Sequence, residues 1–322
     1  MAIDDDTARI PAPASISAPA QEWLTSGGLR GELREPAMVD DIDGWTAYIA
    51  AQDAALLEFL RTRIPDNLPV VRDDIDIDGV PTFSFRPHHV ADDPSQGIYL
   101  DIHGGGLLLG GGEVCASMSI GSSLLRNLIT WSPDYRMPPA HRYPAALNDV
   151  ITVYRRALAV AGAERVIVGG ASAGGNLASA LLLRAKDEGL PMPAALVLQT
   201  PEVDLTESGD SFVINERADH ILSSLMTANL LYADGEDLAH PYLSPLFGDV
   251  TGFPPTLLTT GTRDLYLSNT VRMHRKLRAA GVEAELHVGE AMPHGGFGGR
   301  APEDMELMAE IARFVEAHRK QA

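Results

Sequence analysis

Apolar and polar residues are arranged along most of the chain in a pattern that predicts strands and helices in turn. The alternation in 71–77, the Asp78-Gly79 pair and the run 82–85 predict an antiparallel hairpin. Further strands are expected at 97–102, 127–135, 165–169, 194–200, 256–262 and 283–289, and helices at 144–161, 174–189, 266–280 and 302–320. This order predicts an α/β fold, in which helices cover both faces of a mostly parallel central sheet.

Two regions depart from this pattern. Residues 1–20 are rich in Ala and Pro and are predicted to form a loose arm, whereas 36–63 have a helical pattern whose apolar residues are interpreted as a lid. The stretch 204–247 mixes helical and Pro-containing segments. We therefore expect an N-terminal arm and helical cap segment over 1–63, and a main domain over 64–322 with a cap insertion at about 204–247. The apolar residues of the lid are Trp45, Tyr48, Leu56, Leu57, Phe59 and Leu60.

Charge and cysteine content narrow the range of partners. The net charge is −19, which disfavours nucleic acid and anionic membrane surfaces because both would repel the chain. The single cysteine, Cys115, excludes an internal disulfide framework and a cysteine-rich metal site, and we interpret it as a packed small hydrophobe.

Acidic residues stand at positions 4–6, where a secretory leader would have basic ones, and no apolar run is long enough to cross a bilayer. We expect a soluble, cytoplasmic protein.

Ser172 stands where an apolar, β-branched run gives way to a helix-forming one. The surrounding string is Val168-Gly169-Gly170-Ala171-Ser172-Ala173-Gly174. Glycines at 170 and 174 remove side chains where a sharp turn brings strand and helix backbones together, so the serine hydroxyl can project into a cleft. This is the sequence pattern of a nucleophile between a strand and a helix.

A second signal, His103-Gly104-Gly105-Gly106, directly follows the strand predicted at 97–102. Three glycines leave backbone N–H groups unobstructed, so the loop can direct two amides at an anionic oxygen, and the Ala173 amide can supply a third. A flexible turn or a phosphate cradle are the alternatives, and the glycines at 110–112 keep them open. Neither of the usual nucleotide-binding glycine strings occurs, which disfavours nucleotide binding.

A serine hydroxyl needs a base to accept its proton and an acid to orient that base. His274 lies on a charged helical stretch and His287 lies inside a strand, but His294 follows the strand 283–289 in a loop, where α/β sheets present catalytic groups. Asp264 follows the strand 256–262 and completes the order Ser, Asp, His.

Two other carboxylates and a metal site are the alternatives at this point. Asp204 and Glu202 follow the preceding strand and are interpreted as bordering the insertion, with Asp204 kept as the alternative acid. Metal catalysis is disfavoured, because the chain has no His-Glu-x-x-His string and no clustered ligand spacing.

The motifs of the chain, including two not yet described, follow one another in a defined order. From the N-terminus they are His103-Gly104-Gly105-Gly106, Asp134-Tyr135-Arg136, Tyr143-Pro144-Ala145-Ala146-Leu147, Gly170-Ala171-Ser172-Ala173-Gly174-Gly175-Asn176, Asp264 and His294. In this the chain resembles the hormone-sensitive-lipase family of α/β-hydrolases, from about residue 97 to the C-terminus. Within that family it is similar to bacterial family IV esterases and to monoterpene ε-lactone hydrolase-like members, through Gly261-Thr262-Arg263-Asp264 and Ala280-Gly281-Val282-Glu283.

The resemblance implies an α/β-hydrolase fold with a helical cap and a role for each motif residue. Ser172 would be the nucleophile, His294 the base and Asp264 the orienting acid. The amides of Gly105, Gly106 and Ala173 would form the oxyanion hole, and His103 and Gly104 would shape the loop.

The chain departs from the family pattern at three places. Ala171 stands where an acidic residue or threonine is common, and Met137-Pro138-Pro139-Ala140 replaces Leu-Ala-Pro-Glu. The acid motif, commonly Asp-Pro-Leu-x-Asp-Glu, reads Asp264-Leu265-Tyr266-Leu267-Ser268-Asn269, which keeps only the first aspartate.

We therefore expect a serine carboxylic-ester hydrolase acting on short or medium acyl esters. A lactone hydrolase, an amidase or acyltransferase with the same triad, or a non-catalytic ligand receptor on this fold are the alternatives. The expected partner is a small-molecule ester or lactone, with no nucleic acid, no membrane, no cofactor and no metal. A homodimer is left open.

Overall fold

The computed structural model describes residues 10–26, 36, 38–65 and 67–319. Its eight strands form one sheet in the order β1-β2-β4-β3-β5-β6-β7-β8, in which β1, β2 and β4 pair antiparallel and the rest pair parallel. The strands are β1 (Val70–Ile77), β2 (Val80–Pro87), β3 (Ile98–Ile102), β4 (Ile129–Pro133), β5 (Val166–Ala171), β6 (Ala195–Gln199), β7 (Thr256–Gly261) and β8 (Ala284–Gly289). The α/β architecture predicted from the sequence is confirmed.

The helices lie on both faces of the sheet. They are α1 (Ala18–Ser26), α2 (Ile42–Arg63), α3 (Glu113–Ser123), α4 (Ala145–Ala161), α5 (Ala173–Asp187), α6 (Ser211–Ile214), α7 (Met226–Ala233), α8 (Leu267–Ala279) and α9 (Pro302–His318). Within the described ranges, none of these helices combines the length and apolar character needed to span a bilayer.

Burial on both faces explains why the central strands read as nearly continuous apolar runs. In β3, β5 and β6 alternate side chains enter two separate cores. Leu100, Val168 and Leu198 pack with α4, α5 and α8 on one side, whereas Tyr99, Ile167 and Val197 pack with α9 on the other. The parallel register pairs Leu100 with Val168 and Val168 with Leu196, so the ends of these strands meet at one edge of the sheet.

Two elements differ from the sequence expectation. Helix α3 was not predicted, because its sequence EVCASMSIGSS is small and Ser-rich and lacks a clear apolar periodicity. The strand expected over 127–135 is shorter and covers Ile129–Pro133, since Asn127 has a positive φ of 51°. Cys115 on α3 is fully buried against Phe83 and Phe85, as predicted.

The N-terminal segment is packed on the sheet domain rather than loose. Ile16, Ala20 and Leu24 are buried against Met292 and Phe297 in the loop that contains His294, which differs from the expected loose arm over the part of 1–20 that is described. Residues 1–9 lie outside the described ranges. The division into 1–63 and 64–322 stays a prediction.

Helix α2 is anchored through one buried tryptophan. Trp45 is fully buried against Leu108 and against Ala228 and Leu231 of α7, and its Nε1 donates a hydrogen bond to Met38 O at 3.1 Å. Other apolar residues of α2 are partly exposed, and the interpretation of this segment as a lid stays a prediction.

We predict that Trp45→Ala lowers the free energy of unfolding by about 3–5 kcal/mol, because it leaves a large cavity between α2 and α7. Urea unfolding followed by circular dichroism measures this. Ile42→Ala on the same helix is the control, since Ile42 is exposed and its loss should change the free energy by less than about 0.5 kcal/mol. Equal unfolding midpoints for the two variants would contradict the proposed anchor.

Candidate active site

Ser172 occupies a strained turn between β5 and α5. Its φ and ψ are 55° and −121°, a conformation that a residue other than glycine rarely adopts. The flanking glycines make the turn sterically feasible. A Cβ on Gly170 would lie 2.2 Å from Gly174 O, and one on Gly174 would lie 1.9 Å from Ile102 O at the end of β3. The turn thus brings β3, β5 and α5 together directly at the serine.

The glycine loop after β3 lies against Ser172. A Cβ on Gly104 would lie 2.8 Å from Ala171 O and 3.3 Å from the Ser172 Cβ, so a glycine is needed where the loop meets the serine turn. Gly105 and Gly106 have φ values of 125° and 61°, which favour glycine. The structure therefore brings the predicted amide-rich loop and the predicted nucleophile into contact.

The second glycine triplet, 110–112, is occupied by acidic side chains. Gly110 N donates to Asp53 Oδ1 of α2 at 2.8 Å, and Gly112 N donates to Asp134 Oδ1 at 3.0 Å. Two carboxylates would repel a phosphate from these amides. The phosphate-cradle alternative therefore has no support from this part of the loop.

His103 supports the loop and does not face the base. Its ring stacks on Tyr135 with centroids 4.1 Å apart, its Nδ1 donates to Gly104 O at 2.8 Å, and Tyr135 OH donates to His103 O at 2.9 Å. Burial lowers the pKa of His103 to about 4, so the ring is neutral near pH 7. This geometry agrees with a loop-shaping role.

Among the described residues, one group has ligand atoms close enough to hold a metal ion. Atoms of His103, Cys115 and Asp134 lie within 4.8 Å of one another. Each side chain also has a structural partner: Asp134 accepts from Gly112 N, the Cys115 thiol lies 3.3 Å from Ser132 Oγ, and His103 Nδ1 donates to Gly104 O. We assign no metal to this group.

Asp264 and His294 are joined directly. His294 Nδ1 donates to Asp264 Oδ1 at 3.0 Å, which leaves Nε2 free to accept a proton. Asp264 is fully buried and also accepts from Thr260 Oγ1 at 2.7 Å and from Tyr266 N at 2.9 Å. The Tyr266 ring packs edge-on against His294 with centroids 5.0 Å apart. Three donors and an aromatic wall thus fix the acid and its histidine.

Ser172, Asp264 and His294 follow β5, β7 and β8 at the same edge of the sheet. Within the described part of the chain, no hydrogen bond joins Ser172 Oγ to His294. Such bonds are often long before substrate binds. The structure therefore brings the acid and the base into contact at the ends of the neighbouring strands β7 and β8, and the serine lies at the same edge after β5, with β6 between β5 and β7.

Asp204, the alternative acid, is bound to groups outside the site. Asp204 accepts from Arg272 Nη1 at 2.7 Å, from Ser208 Oγ at 2.7 Å and from Thr206 N at 3.0 Å. Although burial opposes it, these donors hold the pKa of Asp204 below its usual value. Asp204 makes no contact with His294, and the sequence preference for Asp264 agrees with the geometry.

Buried acidic residues surround the base. Burial acts to lower the pKa of His294, but the charges of Asp264, Asp219 and Glu202, together with the Asp264 hydrogen bond, raise it above its usual value. Burial raises the pKa of Glu202 to about 7, against the opposing effects of Tyr266 and His294. From the sequence, Glu202 was considered only as a residue bordering the insertion, and Asp219 was missed.

A profile of the alpha/beta hydrolase fold family matches residues 99–297, which include every residue discussed for the site after β3. An esterase of Acinetobacter venetianus is 33% identical over 221 residues, covering 66% of this chain and 73% of that protein. The site residues thus lie in the region that the family shares.

Solved structures resemble the chain over almost its whole length. The crystal structure of an esterase E25 superposes with a TM-score of 0.85 and 36% identity, covering 97% of this chain and 98% of that one. An esterase of the bacterial hormone-sensitive lipase family superposes with a TM-score of 0.78 and 27% identity, covering 89% and 100%.

We predict that Glu202→Gln lowers the pKa of His294, because it removes a negative charge that favours the imidazolium. Titration of the histidine ring signals by NMR measures this shift. Glu285→Gln is the control, since Glu285 lies on β8 but pairs with Arg313 at 2.6 Å. An unchanged His294 titration in Glu202→Gln would mean that the two groups are not coupled.

Proposed function

The chain belongs to the alpha/beta hydrolase fold family and groups with its hormone-sensitive-lipase-like esterases, and we propose that it is a serine carboxylic-ester hydrolase acting through Ser172, His294 and Asp264. The observation that carries the proposal is the combination of a strained serine turn, a glycine loop in contact with it and a buried His294–Asp264 hydrogen bond.

The reaction follows from the proton positions. His294 Nε2 accepts the Ser172 proton as Oγ attacks the ester carbonyl carbon, and the amides of Gly105, Gly106 and Ala173 bind the resulting oxyanion. The imidazolium then donates its proton to the leaving alcohol oxygen as the C–O bond breaks, which gives an acyl-enzyme. Water then attacks the acyl carbon as His294 accepts one of its protons, and the imidazolium returns that proton to Ser172 Oγ as the acyl–Oγ bond breaks, which releases the carboxylic acid. Throughout the reaction Asp264 keeps the proton of His294 on Nδ1, so that Nε2 faces the reacting groups.

Apolar residues beside the glycine loop support short or medium acyl groups. Leu225 Cδ1 lies 3.2 Å from the position that a Cβ on Gly106 would take, and Leu108 and Leu109 pack with Trp45 and Tyr48 of α2. A small cover of this kind excludes water from the oxyanion, which strengthens its hydrogen bonds. A panel of p-nitrophenyl esters of increasing chain length, with lactones and anilides as further arms, defines the bond and acyl size.

We predict that Ser172→Ala lowers kcat for p-nitrophenyl esters by about 10⁴ to 10⁶, because it removes the attacking oxygen. Ser179→Ala is the control: Ser179 is a buried serine of α5 whose hydroxyl donates only to Gly175 O at 2.8 Å. Labelling of the wild type by a fluorophosphonate, followed by intact mass, tests the nucleophile independently. Ester turnover near the wild-type rate in Ser172→Ala would refute the assignment, and a wild type that neither labels nor turns over would favour a non-catalytic receptor.

We further predict that Asp264→Asn lowers kcat by about 10⁴, because an amide favours the wrong histidine tautomer. Asp204→Asn is the matched buried carboxylate and should keep kcat within about threefold, since Asp204 contacts Arg272 rather than His294. A larger loss of kcat in Asp204→Asn than in Asp264→Asn would mean that Asp204, and not Asp264, is the orienting acid.

A further inference from the structure

Three polar side chains of the insertion lie one helical turn apart and face the same way. Ser211, Asn215 and Asp219 follow one another at intervals of four residues. Asn215 N donates to Ser211 O at 2.9 Å and Asp219 N donates to Asn215 O at 2.8 Å, so the three lie along successive turns. Residues spaced by four share one face of a helical segment.

This face holds the backbone of the acid loop. Ser211 Oγ donates to Leu265 O at 2.6 Å, and Asn215 Nδ2 donates to Asp264 O at 2.8 Å and to Thr262 O at 3.2 Å. Ser211 N also donates to Ser268 Oγ at 3.0 Å. Ser268 stands where the related acid motif has its second aspartate. In this chain the insertion therefore supplies part of the support of that loop.

Asp219 is bound to the acid loop and the base loop at once. Its Oδ2 accepts from Leu265 N at 2.8 Å and from His294 N at 3.3 Å, while Oδ1 accepts from Ile221 N at 2.9 Å and Leu222 N at 3.1 Å. The side chain is fully buried. A buried carboxylate needs such donors, and one oxygen here joins the residue after Asp264 to His294 itself.

We propose that Asp219 is a positioning residue, which keeps Asp264 and His294 at bonding distance by holding the backbone of both loops with one carboxylate oxygen. The inference rests on the proposed function of these two residues. Displacement of a catalytic group by about 1 Å can cost about 100-fold in rate, so loss of this clamp should reduce kcat more than KM.

The charge of Asp219 has a separate, measurable effect on the base. Four groups face the His294 ring or backbone from the packed elements: Asp264 from the acid loop, Asp219 from the insertion, Glu202 after β6 and the Tyr266 ring. The three carboxylates raise the pKa of His294, so removal of one charge should lower it. A neutral base is then available at lower pH.

The test compares Asp219→Asn with Asp204→Asn, which removes another fully buried carboxylate of the same insertion that does not touch the site. For Asp219→Asn we expect kcat for a p-nitrophenyl ester to fall about 10- to 100-fold with KM within about threefold, and the acid limb of kcat/KM to move to lower pH. Fluorophosphonate labelling of Ser172 should slow by a similar factor. Asp204→Asn should change neither the acid limb nor the labelling rate.

Each outcome is decisive once the wild type is shown to hydrolyse the ester; an inactive wild type would instead refute the proposed function. Two folded variants with equal kcat and equal pH profiles would overturn the role of Asp219. If Asp219→Asn fails to fold by circular dichroism, Asn215→Ala replaces it, with an expected fall in kcat of about 3- to 10-fold and an unchanged acid limb, because no charge is lost. An unchanged kcat, or unfolding of this variant too, would overturn the proposal.

Discussion

The close approach of three backbones at Ser172 is the constraint on which the site depends. The carbonyl of Ile102, the carbonyl of Gly174 and the turn at Ser172 occupy space that any Cβ at 170 or 174 would fill. The parallel register pairs Ile102 with Gly170, so β3 and β5 end at one edge, and the absence of side chains at 170 and 174 lets the loops that follow them come into contact. The positive φ of Ser172 is held because residues 166–170 of the strand before it and 173–183 of the helix after it are buried.

The second constraint is electrostatic. Several buried carboxylates of this acidic chain lie around one histidine. Burial of a carboxylate without hydrogen-bond donors costs free energy of folding. Asp264 has three donors and Asp219 has four, all from backbone amides or neutral or imidazole side-chain groups. Glu202 has fewer, because its Oε2 is buried without a hydrogen-bond partner, which agrees with a pKa raised to about 7 by burial. The three carboxylates near His294 therefore differ in how many hydrogen-bond donors each one has in the buried site.

The sequence could predict the fold because the central strands are short apolar runs bounded by glycine and the helices have a clear period. It could also predict the partners Asp264 and His294, since each lies in the loop after a strand at one edge of a parallel sheet. It could not predict α3, whose small and Ser-rich residues carry no periodic signal. Nor could it predict Asp219, because its contacts with Leu265 and His294 span 46 and 75 residues. The donors are backbone amides, which nearly every residue type has, so the sequence does not indicate these contacts.

The cap segments are coupled to the site through contacts with its loops rather than through the sheet. Asp53 of α2 binds Gly110 N, four residues after Gly106, while Leu24 of α1 packs with Phe297 and Met292 on either side of His294. The insertion binds the acid loop through Ser211 and Asn215. Every loop that carries a candidate catalytic group except the Ser172 turn thus has an outer contact with a cap segment. Any displacement of α1, α2 or the insertion would therefore break a contact with the glycine loop, the acid loop or the base loop.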